Sequence, residues 1–536
     1  MLVVERVTKR YGDHLVLQDV SFTIGNGQKF GLIGPNGCGK STLARIIAGE
    51  EKADSGGVGG SFAFPGIHYL AQGQLEAVDR TAAASAPAIG ELWRLGRALS
   101  TSSFRTADET VDALARFDDL GGWSAYERVE EILRGMQIDH LDPEAQYEQL
   151  SGGERTKLAL AGLLHHPGPF LLLDEPSNHL DLDALAWLEQ FLSALPGALL
   201  LVSHDRALID AVVEAVIELD PITHRARRFA GGYSAYQAEL ARERESQEEA
   251  YQRQREQIER VEEDIRRTKQ HAMRFDTTSQ NDHWRRIGKK IARTAKVRER
   301  RLERLLESEE RIEKPKQAWQ LKAEITEASR SGDRVVEAEH LRLSFGNRTL
   351  FEDLSIDLRY GERVVLTGPN GCGKTTLLRV ILGQLQPDSG NVRIGRGVIP
   401  AYLSQQQESI DLARTPLEEI RAAAPLDETE ARTYVHRFLF AGNEVFTQNR
   451  ALSFGQRSRL ALAVIILQGV NLLVLDEPLN HLDIPSRERF EEALANFHGT
   501  ILAVSHDHYF INRIASRVLL LEGGKLTDVD RELSGQ

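Results

Sequence analysis

The stretch GPNGCGKST at 34–42 decides the fold, because it returns almost unchanged as GPNGCGKTT at 368–376. Each copy follows a short apolar run and precedes a helical pattern. In that setting glycines let consecutive backbone N–H groups close around dense negative charge, so the loop is built for polyphosphate. Lys40 and Lys374 are placed to reach the β- and γ-phosphates, and the hydroxyls of Ser41 and Thr375 to hold Mg²⁺. The expected nucleotide contacts are Gly34, Pro35, Asn36, Gly37, Cys38, Gly39, Lys40, Ser41 and Thr42. In the second copy they are Gly368, Pro369, Asn370, Gly371, Cys372, Gly373, Lys374, Thr375 and Thr376.

Working outward, the repeat extends over both halves. DEPSNHLDL (174–182) returns as DEPLNHLDI (476–484), and LVSHD (201–205) as AVSHD (503–507). Lys40 and Lys374 lie 334 positions apart, and Gln72 and Gln405 333 apart. Three pairs, Ser151 with Ser453, Asp174 with Asp476 and His204 with His506, share an offset of 302. The chain is therefore a tandem duplication whose first copy carries about 31 extra residues between Gln72 and Ser151.

These partners complete a hydrolytic site. Asp174 and Asp476 end apolar runs, where a carboxylate joins the Mg²⁺ shell, and Glu175 and Glu477 follow to orient or deprotonate the attacking water. His204 and His506 are expected to sense the γ-phosphate, and Gln72 and Gln405 to touch Mg²⁺ or the water. Tyr11 and Phe345 are expected just before the first strands, stacking on adenine. A lone His or Tyr is more often structural; recurrence at matching places argues for function, more firmly for the His and Gln pairs than for the aromatics.

A chain of 536 residues is too long for one core, and 41% apolar with 27% charged residues fits folded domains rather than disorder. The longest apolar stretch, LALAVIILQGVNLLVL (460–475), is interrupted by Gln468, Gly469 and Asn471, so no membrane span is expected. Cys38 and Cys372 occupy one loop position in two copies, which argues against a disulfide and for a reducing cytoplasm. KFGLIG, FLLLDE and ALLLVS read as buried parallel strands alternating with helices, an α/β pattern.

Between the copies the pattern changes. Residues 235–270 lack Pro and Gly, and Tyr251, Ile258, Val261 and Ile265 fall at near-heptad spacing. A second helical pattern runs from Trp284 to Ile312, with Ile287, Ile291, Leu302, Leu305 and Ile312 as seam candidates, and FDTTSQND (275–282) reads as the turn. An antiparallel hairpin with arms of roughly 45–55 Å is expected. The bland alternative is a solvated charged linker. Residues 266–301 hold thirteen Lys/Arg against three acids, a net +10, in a chain of −13. Arg274, Arg285, Arg286, Lys289, Lys290 and Arg293 are the candidate RNA contacts, with His271, Phe275, His283 and Trp284 offering stacking surfaces.

LSGGERTKLALAGLL (150–164), ahead of FLLLDEP, resembles the signature helix of ATP-binding cassette proteins. The resemblance implies two tandem P-loop cassettes, 1–228 and 334–536, joined by the helical hairpin of 229–333, with intramolecular head-to-tail pairing in a monomer. One ATP would then meet the first loop together with Ser453, Gly455 and Gln456, the other the second loop together with Ser151, Gly152, Gly153 and Glu154. The second signature departs from the family: LSFGQ has Phe454 where glycine is expected. A Phe there is expected to crowd the phosphate or displace the loop, slowing the site built on Lys40; the alternative is a Phe turned outward without consequence.

NHLD in both halves, YSAYQAEL (233–240), the single chain and the basic hairpin resemble the ABC-F proteins. That resemblance implies a cytoplasmic ATPase that binds the ribosome while ATP-bound, places its linker near rRNA and tRNA, and leaves on hydrolysis. It implies a reduced arm near 76–110. Antibiotic resistance by ribosome protection is the favoured role, a general translation factor the second, and an energising subunit of a membrane exporter the reading from another class.

Overall fold

The computed structural model describes residues 1–61, 66–71, 89–101, 106–178, 180–277, 282–307, 332–346, 348–404, 410–438, 440, 442–480 and 482–529. For 271–277, 282–289, 292, 301 and 305–307 the description is of the backbone alone.

Each cassette is built on a six-stranded sheet. In the first the order is Ile67–Leu70, Phe170–Asp174, Ala198–Val202, Lys29–Ile33, Ala215–Leu219 and Ala226–Ala230. In the second it is Pro400–Leu403, Leu472–Asp476, Thr500–Val504, Arg363–Thr367, Arg517–Glu522 and Lys525–Val529. All neighbours run parallel except the last pair in each sheet. The central strands are apolar throughout because both faces are covered. Leu172, Leu200 and Phe30 pack on one face against Leu43 and Ile47 of the helix that follows the phosphate loop. A smaller antiparallel sheet of three strands, Leu2–Tyr11 between His14–Ile24 and Ser55–Gly60, closes that side, and Arg334–Phe345 does the same in the second cassette. The carboxyl ends of the parallel strands thus deliver Asp174, Glu175, His204 and their counterparts to one edge, as open α/β sheets do.

The first copy's extra length is partly helical. It has three helices, Gly90–Ser100, Ala107–Asp119 and Gly122–Gly135, where the second has Pro416–Ala423 and Glu428–Arg437. Thr106 and Glu109 form a capping box at the start of Ala107–Asp119. That helix buries Ala113 and Phe117 and leaves Val111 and Leu114 exposed beside exposed Leu120 and Trp123. Residues 72–88 lie outside the described residues.

A second compact unit, Ser234–Gln320, contains the described helices of the segment between the cassettes. They are Tyr233–Thr277, 45 residues, and Asp282–Glu307, 26 residues. At 1.5 Å per residue these measure about 68 Å and about 39 Å, so the first arm exceeds the length expected from sequence. Four i,i+4 ion pairs, Glu249–Arg253, Arg255–Glu259, Glu256–Arg260 and Glu263–Arg267, support its exposed face at about 0.3–0.5 kcal/mol each. Ile265 and Ala295 are buried, while Tyr251, Ile258, Val261, Ile291 and Leu302 are half-buried, the expected seam. Lys269–Glu299 and Arg298–Asp264 tie the antiparallel helices together. The side chains of Ile287 and Leu305, and all of Ile312, lie outside the description. Phe275–Thr277, read from sequence as part of the turn, are helical, and Asp282 opens the second helix; 278–281 lie outside the described residues.

Candidate functional site

The two phosphate loops adopt one geometry. Gly34, Gly37 and Gly39 have φ of 153°, 81° and 104°, and Gly368, Gly371 and Gly373 have 144°, 75° and 106°. At Gly39 a Cβ would also lie 2.7 Å from Val16 Cγ1, so space and conformation both demand glycine. Lys40 Nζ donates to the carbonyls of Gly34 and Pro35 at 2.8 and 3.1 Å. Lys374 Nζ repeats this at 2.7 and 2.9 Å with Gly368 and Pro369. Both ammonium groups are buried against the loop that a polyphosphate would enter.

The acidic pair beyond each loop is held under strain. Glu175 and Glu477 are non-glycine residues at φ 55° and 47°, and their amides donate back to Val202 and Val504 carbonyls at 2.8 and 3.1 Å. Burial pushes the Glu175 carboxyl up to about 7 against the pull of Lys40 and Arg487. Glu477 is pushed up to about 8, again chiefly by burial. His204 Nε2 stands 3.5 Å from Glu175 and 3.1 Å from Asn36 Oδ1, and His506 Nε2 stands 3.3 Å from Glu477. Burial, with Lys40 nearby, holds His204 far below its ordinary value, and burial with Lys374 takes His506 to about 3. Each site thus pairs a neutral imidazole with a glutamate poised near neutrality, suited to accept a proton from water.

Thr375 Oγ1 and Tyr402 OH donate to Asp476 at 3.1 and 2.9 Å. In the first site neither oxygen of buried Asp174 meets a donor in good hydrogen-bond geometry among the described residues, and burial raises its pKa against the pull of nearby Ser41, Lys40 and Arg45. A buried carboxylate short of counter-charge fits a divalent cation, and Asp174 with Ser41 and Asp476 with Thr375 would hold Mg²⁺ there to screen phosphate charge. Gln72 and Gln405 fall outside the described residues.

The signature helices supply the opposite walls. Ser151 caps Gly152–His165 and shares a capping box with Glu154; Ser453 and Gln456 do the same for Phe454–Leu467. A cavity of about 510 Å³ is walled by Tyr11, Lys40, Ser41, Asp174, Glu175 and His204 and closed by Phe454, Leu482 and Arg487 of the other cassette. The second, about 460 Å³, brings Lys374, Thr375, Asp476, Glu477 and His506 to Ser151 and Gly153. Head-to-tail pairing is therefore present. Among the described residues Phe454 lines the first cavity, whereas Ser453, Gly455 and Gln456 are not part of its wall; Gly152 and Glu154 likewise are not part of the second. Tyr11 ends its strand rather than preceding it, lines the first cavity and donates to Glu51 at 2.5 Å. Phe345 also ends its strand, is exposed, and is not among the described residues that wall the second cavity.

The expected loop displacement at Phe454 does not occur. It is the first residue of a helix with the same cap as its counterpart, and a Cβ at Gly152 would meet nothing within 4 Å. The position tolerates a side chain.

Sequence reasoning passed over one pair. Asp483 Oδ2 accepts from the Asn36 amide at 2.7 Å, and Asp181 Oδ2 from the Asn370 amide at 3.1 Å. Each aspartate also caps its own helix, at Ser486 or Ala184, so it joins one cassette's helix to the other's phosphate loop. The repeated NHLD was the available signal. Of the basic candidates, Lys290 and Arg293 are exposed on the second hairpin helix; Arg274, Arg285, Arg286 and Lys289 lie on described helices with undescribed side chains.

The family profile described as ABC transporter matches residues 17–178 and again 351–480, and a second profile of that description matches 222–325. The putative ATP-binding protein YdiF of Bacillus subtilis is 34% identical over 542 residues, covering 98% of this chain and 81% of its own. The energy-dependent translational throttle protein EttA of Mycobacterium tuberculosis is 34% identical over 535 residues, covering 97% and 91%. Among solved structures, RNase-L Inhibitor superposes with a TM-score of 0.59 at 20% identity, over 98% of this chain and 91% of its own, a likeness of fold. The site and fold define a tandem ATP-binding cassette ATPase. Within that class the chain, 33% identical to ABC transporter F family members of Arabidopsis thaliana over 98% of its length, belongs to the ABC-F family, and it hydrolyses ATP.

Proposed function

We propose that this ATPase is a translation factor that binds the ribosome with both nucleotide sites closed and leaves after hydrolysis. The observation that carries the reading is a hairpin dense in cations, +10 over 266–301, on a chain of net −13. Cations concentrated on one slender element seek RNA phosphate, while the acidic remainder repels it elsewhere. The throttle protein, similar over nearly its whole length, is named for translation, which supports this role over the drug protection that the reduced arm and long connector first favoured. Val111, Leu114, Leu120 and Trp123, exposed just beyond the 76–110 segment expected to be a reduced arm, offer apolar surface for contact. Among the described residues no helix is long and apolar enough to cross a membrane.

The double variant Glu175→Gln, Glu477→Gln should sediment with ribosomes in the presence of ATP; recovery in washed membranes instead would favour an exporter's subunit. Replacing Arg285, Arg286, Lys289 and Lys290 with Ala should weaken that association and flatten its salt dependence, by roughly one unit of log–log slope for each phosphate no longer neutralised. An unchanged slope would separate these cations from RNA.

A further inference from the structure

We propose that Arg487 is a positioning residue that couples the two ATP sites, because its one side chain forms part of the wall of both cavities. Arg487 lies on Ile484–Ala495, just beyond Asp483, and is buried. Its Nε donates to the Leu482 carbonyl at 3.0 Å and its Nη1 to Asp507 Oδ2 at 2.9 Å. Asp507 follows His506, the second site's sensor, and caps the next helix through the Phe510 amide at 2.8 Å. In the other direction Arg487 shares the wall of the first cavity with Glu175 and His204, and it shares that of the second with Glu477 and His506.

The repeat makes this arrangement one-sided. At the offset of 302 the counterpart of Arg487 is Leu185, an apolar residue in the second cavity's wall. One guanidinium therefore serves two sites. A charge change beside Glu175 alters how strongly Arg487 is drawn toward Asp507, and Asp507 anchors the turn carrying His506. The same contacts transmit in reverse, as linkage requires.

The test follows first-turnover cleavage of pre-bound ATP by the full chain, by rapid quench. If the sites were independent, the rates of Glu175→Gln and Glu477→Gln would sum to the parent rate. Coupling predicts a sum about five-fold or more below it. Arg487→Leu, which copies Leu185, should close that gap to within about two-fold, while Arg487→Lys, which keeps the charge, should preserve it. The proposal fails if the native chain shows no shortfall or if the shortfall survives in Arg487→Leu. It fails too if Leu and Lys alike raise KM and slow both sites equally, since that would be a packing role alone.

Discussion

The two flanks of the cassette interface are related by the duplication, yet they carry different chemistry. On one flank Arg206 of the first cassette meets Glu491 of the second, with Asp507 3.5 Å away and Arg513 donating to Glu491 at 3.1 Å. On the other the positions 302 residues away are His508, Glu189, Asp205 and Ala211. Burial raises both carboxyls, but at Glu491 the neighbouring Arg206 and Arg513 pull against it, whereas at Glu189 Asp205 adds to it and the carboxyl is pushed up to about 7. The reacting groups stayed alike while the interface diverged, so among the described residues one flank is locked by paired charge and the other is not. A two-engine machine with one firm edge can open about that edge.

The largest effects belong to the sites themselves. Glu175→Gln with Glu477→Gln should cut steady-state hydrolysis by about a hundred-fold or more while nucleotide still binds. The single variants should be modestly unequal, within about three-fold, with Glu477→Gln the more damaging, because Phe454 stands in the wall of the Lys40 cavity where the repeat places Gly152 in the other half. Equal losses would restore symmetry between the sites. Next comes the locked flank. Arg206→Ala leaves Glu491 buried with one arginine fewer and should cost about 3 kcal/mol in denaturant unfolding. His508→Ala, its counterpart, should cost under about 1 kcal/mol. Similar costs would remove the distinction between the flanks.

How much of this was open to a reader of residues follows from range. The phosphate loops, both acidic pairs and both histidines were legible because each motif is local and repeats. The hairpin was legible because a heptad seam and i,i+4 charges are written along one helix. The charged interface was not. Arg206, Glu491 and Arg487 look like ordinary surface charges, and only the pairing of cassettes brings residues 285 positions apart together. Phe454 misled in the opposite sense: glycine in a signature implies a need for positive φ, whereas here the position is ordinary helix. Phe454→Gly should therefore change turnover at the Lys40 site by no more than about three-fold and leave the other site unchanged. A ten-fold gain would show real crowding.

The smallest effect reads the unlocked flank directly. Glu189 has a folded pKa of about 7 against an ordinary 4.5, so burial favours its neutral form. A carboxyl raised on folding contributes its full stability below its unfolded value and loses it as pH climbs through the folded one. Glu189→Gln, which cannot ionise, should match the parent in Tm below pH 4.5 and exceed it by about 2 °C at pH 8, with the difference growing between. Glu491→Gln should do the reverse at pH 8, since it strips Arg206 and Arg513 of their shared anion. If both substitutions move Tm the same way at pH 8, the two flanks are electrostatically equivalent, and the firm edge must come from packing rather than charge.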